Sequence, residues 1–238
     1  MLRLTSRLVL VGLLLAATAL AATGSDARLM ALEARYREHL LAERPDLASA
    51  AGLKIADDRL EPITEFTLER DRALLDALAD SLRALDRDAL APSRRAALDS
   101  LAGAIERERG PLVADRWRRE GAPYADMVSR AVLGAATRLH AGPCSRVRHA
   151  TLRLRVVPEL LRSAEINLRG GGVADRDTAA VHWQALLHEL RVTLPALAGD
   201  CHEADRDAEL IEADSLALGA ARRFVRFLAE APDSSAAR

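Results

Sequence analysis

Aromatic side chains are nearly missing from this sequence: two tryptophans, two tyrosines and three phenylalanines make up 3% of 238 residues. Proteins that grip single-stranded nucleic acid stack bases on aromatic rings, so the scarcity argues against such a partner. Lysine is scarcer still. Lys54 is the sole one, and every other basic residue is arginine. Arginine binds phosphate bidentately, yet here the arginines alternate with acids and the formal net charge is only -1. A GC-rich coding sequence accounts for the skew, and no nucleic-acid partner is expected. No segment alternates apolar and polar residues over the length of a strand, which argues against a sheet. The chain has no G-x-S-x-G and no HExxH, so neither a nucleophile elbow nor a helical zinc motif can be assigned.

Only one run is long and apolar, LVLVGLLLAATAL at residues 8–20. It falls short of the ~20 residues that span a bilayer. Arg3 and Arg7 precede it and Ala19-Leu20-Ala21 follows, the pattern of a cleaved leader. Residues 1–21 are therefore expected to be a signal peptide cut after Ala21. The mature chain is expected in the periplasm or outside the cell, without a stable membrane anchor. In that oxidising compartment the two cysteines, Cys144 and Cys201, can pair. Both fall at the edge of a predicted helix; the alternative is two unrelated thiols, since pairing needs Cα atoms within ~7 Å.

What the sequence has in quantity is helical periodicity. Half of the residues are hydrophobic and 29% are charged. Val147, Ala150, Leu154, Val157, Leu161, Ala164 and Leu168 recur at steps of 3 and 4, placing all seven on one stripe. Arg148, Arg153, Arg155, Glu159 and Arg162 fall largely outside it. An interior proline removes a backbone hydrogen bond at a cost of ~3 kcal/mol, so a kink is expected at Pro158. Further helices are predicted over residues 25–43, 45–51, 64–87, from Pro92 to the Gly110-Pro111 break, 123–139, 174–198 and 204–230. Pro195 is expected to kink or end the helix over 174–198. Residues 53–63 read as an ordered loop and Gly170 to Gly172 as a hinge. The expected fold is all-α, an irregular bundle of about six or seven helices forming one domain over residues 22–231, with a disordered tail over 232–238.

Chemistry is hard to find. His188-Glu189 begins a zinc-like motif, but the second histidine would have to stand where Val192 does. A site built from His182, His188 and His202 lacks any spacing signature. The run His202, Glu203, Asp205, Asp207, Glu209 and Glu212 is acidic without the glycine and spacing of a calcium loop. Acids at a helix start complement its dipole. Glu38 and His39 read as surface polar residues. No catalytic, cofactor-binding or metal-binding residue is assigned.

The segments HLLAERPDLASAAGL, DDRL and RLRVVPELLRSAEINL, and a helix ending in LPAL, occur in this order. Together they resemble the N-terminal helical region of the bacterial domain-of-unknown-function family 885, over about residues 26–231. Full-length members of that family resemble gluzincin-type zinc metallopeptidases, with the metal site in a C-terminal half. The resemblance implies an exported, non-catalytic helical module with a scaffold or interaction role, from a truncated gene or completed by a separately encoded metallopeptidase-like half. The chain stops where that half would begin, so no catalytic residue carries over, and it has three glycines at 170–172 where a less flexible connection is expected. The alternative is a periplasmic bundle that binds a small ligand or a client protein.

Overall fold

The computed structural model describes residues 24–138, 141–168 and 173–231; the expected leader at 1–21, the glycines at 170–172 and the expected tail at 232–238 lie outside the described residues. Among the described residues the fold is all-α, with no strand and eight α-helices, one of them bent. These are α1 (24–43), α2 (Pro45–Ala50), α3 (Glu65–Arg83), α4 (Pro92–Val113), α5 (Ala122–Ala136), α6 (Pro143–Leu168), α7 (Arg176–Cys201) and α8 (Ala204–Glu230). By contacts the chain divides into two compact units, one of Met1–His39 with Arg70–Gly110, the other of Leu40–Glu69 with Pro111–Arg238.

The larger unit is built on α6, which packs most extensively on α8 and also on α5 and α7. All seven stripe residues of α6 are buried. The alanine-rich face of α8 lets it approach closely, and Leu210, Ala213, Ala217, Ala220 and Phe224 are buried as their spacing requires. Helix α6 continues through Pro158, which has no N–H to donate to the preceding turn. The rings gather here: Phe224 meets Trp183 edge-on at 5.3 Å and Tyr124 at 6.0 Å. Tyr124 donates to the carbonyl of Trp117 and accepts from Asn167 Nδ2 at 3.2 Å. Burial holds its phenol far above the usual tyrosine range.

Two chain reversals depend on side chains. Both carboxylate oxygens of Asp175, just before α7, accept from the start of α5, from Gly121 N at 2.6 Å and Ala122 N at 2.9 Å. A disulfide joins Cys144, in the first turn of α6, to Cys201 at the end of α7, with Cα atoms 4.7 Å apart.

In the smaller unit α1 buries Leu29 and Tyr36, α3 buries Leu75, Leu78 and Leu82, and α4 buries Leu98, Leu101 and Ile105. Ion pairs border this core, among them Arg94 to Glu33 at 3.0 Å and Arg109 to Asp76.

Several boundaries differ from expectation. Helix α3 stops at Arg83, not at residue 87, because the Asp86 side chain takes the Asp88 N–H at 3.0 Å and turns the chain. Helix α4 passes the Gly110-Pro111 break and ends at Val113, followed by Asp115 with φ 49°. A proline this close to the end forfeits only its own hydrogen bond. Helix α7 likewise runs beyond Pro195 and Gly199 to Cys201, where His202 takes φ 57°. Leu194 and Leu197, on either side of that proline, are buried and hold the helix together across the missing bond.

Candidate functional site

The most polar interior of the larger unit is where α2 and the 3-10 turn after it meet α5 and α6. Pro45 occupies the first turn of α2, where its missing N–H costs nothing. Gly52, with φ 88°, ends that helix and reverses the chain into the 3-10 turn Lys54–Ala56, which delivers Asp57. On α6, His149 and Arg153 stand one turn apart on a single face.

Arg153 corrects the sequence reading. It is 0% exposed, although its position flanks the apolar stripe. Its Nη1 donates to the Ala131 carbonyl at 2.7 Å, and its Nη2 to the carbonyls of Pro45 at 3.1 Å and Ala56 at 3.3 Å. One guanidinium thus ties together three separate backbone segments, from α5, α2 and the 3-10 turn. Burial, and then repulsion from Arg138, depress its pKa, but a guanidinium stays charged in proteins.

Asp57 is the hub beside it. Ser49 donates its hydroxyl to Oδ1, Arg138 Nη1 lies 3.6 Å from the same oxygen, and His149 Nε2 is 3.2 Å from Oδ2. Arg138 Nη2 donates to Ser49 Oγ at 2.8 Å. Burial holds the His149 imidazole below its ordinary pKa; Asp57 opposes this, while Arg138, Arg153 and Arg148 reinforce it. The imidazole Nε2 faces the Asp57 carboxylate, which can only accept. The ring Nδ1 is buried and without a partner among the described residues. The serine hydroxyl is held on both sides, by Asp57 and by Arg138.

A cavity of about 440 Å³ opens against this cluster, lined by Ser49, Ala50, Gly52, Lys54, Asp57, Asp58, Arg138, Ala141, Ser145, Arg148, His149 and Leu152. Volumes of ~300–1,000 Å³ are usual for ligand sites.

The residues weighed for metal binding are placed elsewhere. His182 pairs through Nδ1 with Asp126 at 2.9 Å. His188 and His202 are exposed, and among the described residues the three histidines share no cluster of close ligand atoms. Val192 is 61% exposed. The acids from Glu203 to Glu212 lie at the solvated start of α8, where Glu203 pairs with Arg206 at 2.9 Å. Cys144 and Cys201 are joined to each other, so neither sulfur offers a thiolate to a metal. Glu38 is exposed and His39 half-buried on α1. No described helix is long and apolar enough to cross a membrane.

Sequence reasoning assigned no site role to Ser49, Lys54, Asp57, Arg138, Arg148, His149 or Arg153, though Lys54 stood out as the sole lysine and Arg148 and Arg153 as flanking the α6 stripe. The one available signal was the loop at 53–63, irregular but too short of glycine to be slack.

No family model matches the chain, and no curated protein does. Among solved structures it is similar to a protein of unknown function from Shewanella oneidensis, assigned as a lipoprotein. The TM-score is 0.66 at 15% identity, over 84% of this chain and 37% of that one. The likeness establishes a shared helical fold. This chain spans little more than a third of its neighbour's length.

Proposed function

We propose that the chain is an exported helical recognition module that performs no covalent chemistry of its own. The observation that carries this reading is the closure of the Asp57 cluster: both carboxylate oxygens are engaged by Ser49, Arg138 and His149, and the imidazole Nδ1 is buried. Such a cluster shapes a surface and does not turn over a substrate. The leader expected at residues 1–21, the Cys144–Cys201 disulfide and the lipoprotein assignment of the Shewanella oneidensis neighbour all support export, since disulfides persist in oxidising compartments.

In that neighbour the matching body is part of a longer chain, which favours a role beside another domain or subunit. The resemblance to the helical region of domain-of-unknown-function family 885 names one such companion, a zinc-bearing metallopeptidase-like half. The test is metal analysis and peptide hydrolysis on the protein recovered from the periplasm. Zinc well below one equivalent and hydrolysis at buffer background are expected; stoichiometric zinc together with cleavage overturns the reading.

A further inference from the structure

We infer that the cavity beside Asp57 binds a small organic anion, one bearing carboxylate or phosphate oxygens. The inference deepens the recognition reading and rests on it.

Charge is the first argument. Several arginines on this chain are compensated by a nearby acid, as Arg44 is by Asp46 at 2.9 Å and Arg116 by Glu120 at 2.6 Å. Among the described residues Lys54 and Arg148 have no such partner, and they line one cavity. Both are exposed on its wall. They come from positions 94 residues apart in sequence, 54 and 148, and only the fold brings them to one hollow. Arg138 adds a third cation. The wall also holds two acids, Asp58 and Asp57, the latter paired with Arg138 at 3.6 Å. Behind them Arg153 contributes a fourth positive charge, wholly buried and bonded only to neutral carbonyls. In a partly desolvated hollow such an excess is poorly screened.

Shape and lining are the second argument. About 440 Å³ is far more than a lone phosphate or sulfate fills. Ala50, Ala141 and Leu152 offer apolar wall, and the Ser145 hydroxyl sits exposed at the edge. A compact carbon skeleton with anionic oxygens satisfies both. Guanidinium groups recognise either oxyanion bidentately, so the chemistry is shared between polycarboxylates and phosphate monoesters.

The experiment is calorimetric titration of the exported chain at low ionic strength with citrate, with glycerol 3-phosphate and with glycerol as the uncharged control. Saturable binding of one equivalent of citrate or glycerol 3-phosphate is expected, weakened by added salt, with glycerol silent. The stronger of the two anions identifies the carboxylate or the phosphate source. The double variant Lys54→Gln/Arg148→Gln is expected to lose at least about tenfold in affinity, the loss of one charge-assisted contact or more. Both residues are exposed, so its thermal melt should match the parent's. Arg155→Gln, an exposed arginine elsewhere on α6, should bind like the parent. No saturation with either anion, an unchanged affinity in the double variant, or an equal loss in Arg155→Gln overturns the site. A flat titration with no peptide hydrolysis removes only the anion site, whereas zinc with hydrolysis removes the recognition reading itself.

Discussion

Arg153 Nη1 lies 2.7 Å from the carbonyl oxygen of Ala131, inside the core and out of reach of solvent. A buried cation without a carboxylate partner is costly, and it persists here because three carbonyls receive its protons. Removing it leaves those carbonyls facing an apolar void. Arg153→Met is expected to lower stability by about 2–4 kcal/mol, and Arg153→Lys to recover only part, since an ammonium cannot span three segments. Chemical denaturation read by far-UV circular dichroism measures both; a Met variant as stable as the parent would show that the guanidinium only fills space.

Asp175 acts as a cap for a helix other than its own. Its two oxygens take the Gly121 and Ala122 N–H groups at the start of α5. Asp175→Ala should cost about 1–2 kcal/mol. Asp175→Asn, which keeps one acceptor, should fall between. Equal melting temperatures for all three proteins would exclude the cap.

Gly121 is placed by crowding. A Cβ there would stand 2.8 Å from Leu228 Cδ2 and 3.1 Å from Ala179 Cβ. The leucine can turn, but it is buried, and an alanine methyl cannot move aside. Gly121→Ala is expected to destabilise by about 1–3 kcal/mol, and Leu228→Ala should suppress much of that penalty in a double-mutant cycle.

His149 makes stability depend on pH. Its pKa in the fold lies below the unfolded value, near 6.5. Between those two values the unfolded chain binds more protons, so stability rises with pH there. The contribution is complete above about pH 6.5 and is lost as pH falls through the folded value. His149→Gln should therefore flatten the difference in stability between pH 7.5 and pH 5.5. A variant that follows the parent across that interval would assign the acid sensitivity to another group.

The Cys144–Cys201 bridge closes a loop with a sequence separation of 57. Loop-closure entropy for that length is worth about 4 kcal/mol at most. Cys144→Ser with Cys201→Ser, or reduction by dithiothreitol, should lower stability by about 2–4 kcal/mol. Because the bridge pins the first turn of α6, its loss should also weaken anion binding by Arg148. Melting curves with and without reductant check the first outcome.

Helix α8 was legible to the residue, Ala204 to Glu230, because its apolar stripe is unbroken and its neighbours are plain stops. The stripe of α6 was legible for the same reason. Helix ends near proline and glycine were not: α4 and α7 run past theirs. Local propensity marks where a helix is weakest, while burial of Leu194 and Leu197 decides whether it continues. On α7, Trp183, Leu187, Leu190, Leu194 and Leu197 recur at steps of 4, 3, 4 and 3, yet Leu186 is buried at 4% while Leu187 is only half-buried, since neighbouring helices choose the angle of the buried face.

Sequence alone determined the all-α class, the helix on which the larger unit is built and a candidate partner for each cysteine, because hydrophobic period and cysteine count are properties of the chain read in one dimension. The division into two units, the burial of Arg153 and the meeting of Lys54, Asp57, Arg138 and His149 were decided by tertiary structure. A charged residue beside an apolar stripe has the same local pattern whether it faces water or three carbonyls. Which of these it meets depends on segments about a hundred residues away folding against it, and no local spacing encodes that.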